Sequence, residues 1–132
     1  NNQLTTFIKS SDIIINILPN TKYTSNFINS QFLSHMKKKS LLINIGRGST
    51  VNETDLLKNL RKNKYFYASL DVFQREPLPK KSLFWSLENI NITPHVASIT
   101  LINSAINLIY KKYTKYKSSK IIKSDVNLNN GY

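Results

Sequence analysis

The chain has 132 residues, 40% of them hydrophobic, with no cysteine and a formal net charge of +12. This length suits one domain or part of one, and the apolar content is sufficient for a core. No apolar run reaches the roughly 18–20 residues that cross a bilayer, no signal-peptide pattern is present, and without cysteine there is no disulfide framework. These properties predict a soluble, cytoplasmic protein with no membrane partner.

The positive charge by itself would suit a nucleic-acid partner. However, lysine accounts for 16 of the 19 basic residues, and Asn (17) and Ile (16) are equally abundant. These three residue types share A/T-rich codons, whereas dedicated nucleic-acid surfaces favour arginine, whose planar fork binds phosphate and guanine. We therefore expect no nucleic-acid partner, and a basic nucleic-acid-binding remnant stays as an alternative.

The predicted elements alternate between strands and helices along the chain. Residues 12–18 form a nearly continuous β-branched run, typical of a parallel strand buried on both faces. Asn29 is the predicted N-cap of a short helix that ends at about residue 36, and a second strand covers residues 41–45. Asn52 is the predicted N-cap of a helix to about residue 63, with Val51 and Leu56 at the hydrophobic-staple positions. No element is predicted before residue 12.

The second half of the chain continues this alternation. Strands are predicted at 67–72 and 90–93, separated by a proline-rich loop and a helical turn at 82–87. An apolar stripe of helical period predicts a helix from about residue 100 to 113, and a polar, basic tail begins at residue 117. The pattern predicts an α/β fold with a parallel sheet. Because so apolar a first strand needs neighbours on both edges, we expect the second half of a doubly wound sheet with an exposed apolar edge.

Three ionisable side chains stand where predicted strands end. Arg47 lies in Asn-Ile-Gly-Arg-Gly, Glu76 in Asp-Val-Phe-Gln-Arg-Glu-Pro, and His95 in Thr-Pro-His-Val-Ala. Loops at the carboxyl ends of neighbouring parallel strands meet in one crevice, so these residues can converge. A guanidinium holds an anion, and a carboxylate behind an imidazole suits acid–base chemistry on a small carboxylic acid. Taken alone, each of these residue types is more often a turn, surface or core residue.

Four segments, taken in order, resemble the D-isomer-specific 2-hydroxyacid dehydrogenases. They are INILPNT at 15–21, INIGRG at 43–48, LDVFQREPLP at 70–79 and ITPHVASIT at 92–100. The resemblance covers essentially the whole chain. It implies the C-terminal half of an NAD(P)-binding domain at 1–116, in which the second half of a Rossmann-type doubly wound parallel sheet is followed by a C-terminal helix. A tail at 117–132 would then pack on a separate substrate domain.

The resemblance also implies roles for the residues of this site. Arg47 would bind the substrate carboxylate and keto oxygen, His95 would be the general acid–base, and Glu76 would hydrogen-bond His95. The residues expected to border the cofactor are Leu18, Pro19, Ile45, Gly46, Arg47, Asp71, His95, Val96 and Ala97, with Asp71 near the nicotinamide carboxamide. No metal site is expected, since the two histidines, at 35 and 95, have no ligand spacing.

The implied reaction is reduction of a small 2-keto acid, glyoxylate or hydroxypyruvate, with NADPH or NADH. The resemblance also implies that the intact enzyme is a homodimer, and resemblance to one subfamily favours NADPH. The chain's three glycines, at 46, 48 and 131, do not form the G-x-G-x-x-G turn that binds a pyrophosphate. We therefore expect this polypeptide alone to be poorly stable and nearly inactive. A non-catalytic dinucleotide-binding or interaction protein of the same fold stays as an alternative.

Overall fold

A four-stranded, wholly parallel sheet forms the centre of the computed structural model, which describes residues 2–98 and 101–120. The described residues fall into two compact units, one within residues 1–97 and the other within 98–132. The strands are β1 (Ile13–Asn16), β2 (Leu41–Asn44), β3 (Tyr67–Leu70) and β4 (Ile90–Ile92), adjacent in chain order. All four predicted strands are confirmed, each shorter at its carboxyl end than predicted.

Three helices connect or precede these strands in the first unit: α1 (Asn2–Ser10), α2 (Ser30–His35) and α3 (Glu53–Lys62). Both predicted N-caps are confirmed, because Asn29 accepts the backbone N–H of Phe32 and Asn52 accepts that of Asp55. Short 3₁₀ turns occur at Gly48–Thr50 and Leu83–Ser86, the latter at the predicted helical turn. The capping side chains satisfy N–H groups that a helix start leaves unpaired, which is why the sequence located these starts.

Two helices differ from the prediction. Helix α1 was not predicted at all; its only fully buried residue is Ile8, with Leu4 partly buried one turn earlier, so packing rather than a capping signal accounts for it. The second unit contains α4 (Ile102–Ser119), which extends six residues beyond the predicted end. Its sequence beyond residue 113 is rich in lysine, a good helix former. The predicted tail from residue 121 onward lies outside the described residues.

The core occupies one face of the sheet. Side chains alternate along each strand, so Ile14, Leu42 and Ala68 pack with buried residues of α1, α2 and α3. On the opposite face Ile13 and Ile15 are 56% and 57% exposed. The exposed faces of Ile13 and Ile15 show that the predicted burial of this strand on both faces is wrong, because nothing among the described residues covers its second face. Among the described residues β1 pairs with β2 alone, so the predicted exposed apolar edge is confirmed. Within the described residues, no helix is both long and apolar enough to cross a membrane.

Candidate active site

The carboxyl ends of the four strands carry the predicted site residues. Arg47 follows β2, Asp71 and Glu76 follow β3, and His95 follows β4. The hydrogen bonding of the sheet continues one residue into these loops. Asp71 N–H donates to Asn44 O at 3.0 Å, and Thr93 N–H donates to Leu70 O at 3.0 Å. Because the strands are adjacent, the loops leave the sheet side by side at one edge.

Glu76 and His95 form a hydrogen-bonded pair across two of these loops. His95 Nδ1 lies 2.7 Å from Glu76 Oε2, and Phe73 N–H donates to the other carboxylate oxygen at 2.8 Å. The hydrogen bond from His95, followed by that from Phe73, lowers the pKa of Glu76 below its ordinary value. A carboxylate only accepts, so Nδ1 carries the proton of this bond and Nε2 is left for another partner. The His95 side chain is 49% exposed and the Glu76 side chain 36% exposed, so a ligand can reach the pair.

The turn that carries His95 is held by Asp71. His95 has a φ of 57°, a left-handed conformation that is uncommon for a residue other than glycine. The Asp71 carboxylate accepts from Thr93 Oγ1 at 2.5 Å and from the N–H groups of Val96 and Ala97, both at 2.9 Å. His95 N–H donates to the Asp71 backbone oxygen at 2.9 Å. Asp71 thus fixes the backbone on both sides of the histidine.

Asp71 is ionised despite its burial. It is 4% exposed, and this burial raises its pKa. The hydrogen bonds from Thr93, Val96 and Ala97, together with the nearby His95, outweigh that effect, so the pKa lies below its ordinary value. Its expected place beside a nicotinamide carboxamide stays a prediction. The sequence analysis did not predict that Asp71 anchors the His95 turn. The available signal was an Asp and a Thr-Pro-His at the ends of two adjacent strands.

Arg47 lies on an exposed loop between two buried glycines. Its guanidinium Nη1 donates to Gly46 O at 2.8 Å. A Cβ on Gly48 would lie 1.9 Å from the carbonyl carbon of Phe73, and one on Gly46 would lie 2.9 Å from that of Ile17. Both glycines therefore serve close backbone approach. They bring the Arg47 loop directly against the loops that follow β1 and β3.

The remaining predicted cofactor residues also lie in these loops. Ile45 and Val96 are apolar yet 41% and 54% exposed, whereas Leu18 and Pro19 are half-buried. The backbone N–H groups of Val96 and Ala97 are already bonded to Asp71, so they are not available to a phosphate. The exposed apolar side chains offer a surface for a flat ring.

An apolar cavity of about 490 Å³ lies beside the His95–Glu76 pair. Its walls include Phe73, Leu78, Trp85 and Ile92. A second, larger hollow of about 570 Å³ lies between α2 and α3; it contains four lysines and none of the predicted site residues. The candidate site is therefore identified by the ionisable side chains beside the smaller cavity and not by cavity volume. Among the described residues, no group of three or more His, Cys, Asp or Glu side chains could hold a metal.

Sequence reasoning missed three buried polar residues beneath the site: Asn16, Asn44 and Thr50. They hydrogen-bond one another and the loops that carry Leu18 and Arg47. The signal was present, because two otherwise apolar strands, Ile-Ile-Ile-Asn and Leu-Leu-Ile-Asn, each end in asparagine.

A parallel sheet with loop residues of this chemistry at its carboxyl edge defines a dinucleotide-binding type of α/β domain. The family model described as "D-isomer specific 2-hydroxyacid dehydrogenase, NAD binding domain" matches residues 1–97, and the chain belongs to this family. The predicted family and the predicted fold class are thereby confirmed.

Curated relatives include glyoxylate/hydroxypyruvate reductase A of Citrobacter koseri, 38% identical over 130 residues, and that of Photorhabdus laumondii, 39% identical over 130 residues. Each match covers 98% of this chain but only 42% of the relative, so the chain spans less than half the length of these relatives.

Solved structures give the same result. A D-isomer specific 2-hydroxyacid dehydrogenase from Xanthobacter autotrophicus Py2, in complex with NADPH and MES, superposes with a TM-score of 0.91 at 32% identity; the match covers 99% of this chain and 54% of that one. An NADPH-dependent glyoxylate/hydroxypyruvate reductase from Sinorhizobium meliloti, in complex with NADP and sulfate, superposes with a TM-score of 0.89 at 29% identity. That match covers 99% of this chain and 43% of the reductase.

Proposed function

We propose that this chain carries the substrate clamp and the proton-transfer pair of an NAD(P)H-dependent reductase of small 2-keto acids, with glyoxylate or hydroxypyruvate as substrate and NADPH as the preferred cofactor. The observation that carries this proposal is the 2.7 Å His95–Glu76 pair, in which Glu76 lies on the loop next to that of Arg47. The names of the curated reductases and the NADPH and NADP complexes of the solved structures support the substrate and the cofactor.

His95 is the proton donor in this proposal. Its Nδ1–H is bonded to Glu76, which orients the ring, and Nε2 would give its proton to the new hydroxyl oxygen. Arg47 is permanently charged and can hold the substrate carboxylate through planar, bidentate contacts. The same guanidinium stabilises the negative charge that develops on the keto oxygen during reduction.

The described residues fit the nicotinamide end of the cofactor. Ile45 and Val96 are the exposed apolar side chains against which the ring would lie, and Leu18, Pro19, Gly46 and Ala97 would border it. When bound, the reduced nicotinamide supplies the hydride. The 132 residues contain no G-x-G-x-x-G turn, so we propose that this polypeptide alone turns over very slowly. We also propose that the intact enzyme is a cytoplasmic homodimer. In it, residues 1–116 would belong to the cofactor-binding domain and residues 117–132 would pack on the substrate domain.

A chimera tests the proposal. The region of the Citrobacter koseri reductase that matches this chain is replaced by residues 1–132, and NADPH oxidation is followed with glyoxylate and with hydroxypyruvate. We expect measurable turnover, and a loss of about 100-fold or more in kcat for His95→Gln, the range typical of a general acid–base.

The control variants separate the roles. Arg47→Lys keeps the charge but loses the planar fork, so we expect a drop of about 10–100-fold in kcat/KM, the equivalent of losing a charged hydrogen bond. His35→Gln, remote from the site, serves as the matched control for the histidine. A folded chimera that binds NADPH but reduces neither acid would overturn the proposal.

A further inference from the structure

A buried network of three polar side chains joins the loops that follow β1 and β2. Asn16, Asn44 and Thr50 are only 4%, 1% and 0% exposed. Asn16 and Asn44 are direct partners in the parallel register, each the last residue of its strand. Polar groups buried this deeply are costly unless they are hydrogen-bonded, and each of these three has specific partners.

One path through the network runs from Leu18 to Arg47. Leu18 N–H donates to Asn16 Oδ1 at 3.2 Å, and Asn16 Nδ2 donates to Thr50 Oγ1 at 2.6 Å. Thr50 Oγ1 in turn donates to the backbone oxygen of Arg47 at 2.6 Å. A hydroxyl has a single hydrogen. Since that hydrogen is given to Arg47, the Thr50 oxygen must accept from Asn16, and all the bonds of the path run in one direction.

Asn44 closes the network on its second side. Its Oδ1 accepts from Asn16 Nδ2 at 2.8 Å and from Gly46 N–H at 3.2 Å, while its Nδ2 donates to Arg47 O at 3.4 Å. The Arg47 oxygen also accepts from Thr50 N–H at 3.1 Å. Three donors therefore converge on the carbonyl of the one arginine in this loop.

We propose that Asn16, Asn44 and Thr50 are positioning residues, which hold the Arg47 loop at a set distance from the Leu18 loop. The network touches neither substrate nor cofactor; it acts through the backbone of the residue that clamps the carboxylate and of one that borders the nicotinamide. This inference rests on the proposed function for the role of Arg47, but the hydrogen-bond path itself can be measured without turnover.

The experiment compares two variants of the 132-residue chain by NMR. Thr50→Val keeps the shape of the side chain and removes the hydroxyl, whereas Thr50→Ser keeps the hydroxyl. We expect hydrogen exchange of the Leu18 amide to become about fivefold faster in Thr50→Val, as for the loss of one net hydrogen bond. The Arg47 amide signal should shift as well. In Thr50→Ser the Leu18 exchange rate and the Arg47 amide signal should stay near those of the unchanged chain. The amide of Leu60, in the core, should respond to neither variant.

A second arm addresses the clamp, with oxalate as the probe and the Arg47 Nε–H signal as the readout. We expect Thr50→Val to weaken oxalate binding severalfold and Thr50→Ser to restore it. If the unchanged chain does not bind oxalate, the proposed function loses its support, while the hydrogen-bond path is still judged by the Leu18 amide.

Two results would overturn the inference: Leu18 and Arg47 signals that are the same in Thr50→Val as in the unchanged chain, or equal perturbation by the valine and the serine. If Thr50→Val fails to fold, the network is tested in the unchanged chain instead. A scalar coupling across the hydrogen bond from Asn16 Nδ2 to the Asn44 side-chain carbonyl is then expected, and fast-exchanging Asn16 amide hydrogens without that coupling would contradict the network.

Discussion

At the scale of single residues, the charge on Glu76 depends on His95. The hydrogen bond between them is the largest cause of the lowered pKa of Glu76. We expect His95→Gln to raise the pKa of Glu76 toward its ordinary value of 4.5, because a neutral amide stabilises the carboxylate less than an imidazolium does. The measurement is a ¹³C NMR titration of the Glu76 carboxyl. His35→Gln is the matched control and should leave this pKa unchanged; equal Glu76 values in all three proteins would contradict the assigned pair.

Asp71 gives a pH-dependent contribution to stability. Its pKa is lowered on folding, so its ionised form stabilises the fold above about pH 4, and the contribution disappears as the pH falls through the lowered value. We expect Asp71→Asn to reduce the free energy of unfolding at pH 7 by about 1–3 kcal/mol, because Val96 and Ala97 donate to different carboxylate oxygens and the NH2 group of asparagine cannot replace one of them as an acceptor.

Urea unfolding at pH 7 and at pH 2.5 measures this contribution. The difference between Asp71→Asn and the unchanged chain should shrink at the lower pH. Asp12→Asn is the control, because the Asp12 carboxylate is 76% exposed in its ion pair with Lys37 and should contribute little. A pH-independent effect of Asp71→Asn would argue against an ionised anchor.

At the scale of loops and secondary-structure elements, Gly48 sets how closely the loops after β2 and β3 approach. A Cβ there would overlap the Phe73 backbone at 1.9 Å, which cannot be relieved by a side-chain rotation. We expect Gly48→Ala to lower the free energy of unfolding by about 3 kcal/mol or more, at the upper end of overpacking costs.

Gly46→Ala is the matched comparison for this prediction. Its nearest backbone contacts would be 2.9 Å, so a smaller shift can relieve them and a smaller loss of stability follows. Urea denaturation of both variants measures the difference. Equal stability losses would show that the two loops are not held at the distances described.

The elements themselves were predictable to the extent that their signals are local. Asn29 and Asn52 cap helices at the predicted positions because the capping bond reaches only three residues along the chain. Helix α1 has no such signal and forms where Leu4 and Ile8 reach the core. The end of β1 was predicted two residues too late, because the apolar run continues to Leu18. In the structure the Asn16 side chain accepts from Leu18 N–H, a local bond that replaces strand pairing there.

At the scale of the whole molecule, one face of the sheet is packed and the other is exposed. Ile14 is 5% exposed, whereas its neighbour Ile15 is 57% exposed. We expect Ile14→Ala to cost about 2–5 kcal/mol of unfolding free energy and Ile15→Ala less than about 1 kcal/mol, because only the first change leaves a cavity. Thermal and urea unfolding of the pair measure both values, and similar losses would contradict the described burial.

The sequence by itself was enough to establish the parallel α/β class, the helix starts at Asn29 and Asn52, and the resemblance that led to the family. These follow from patterns within short stretches of chain. Only the tertiary structure decided that Asp71 anchors the His95 turn, that Gly48 lies against Phe73, and that Asn16 reaches Thr50. The last of these pairs is 34 residues apart, and contacts across such distances depend on how strands register and loops close, which no local pattern encodes.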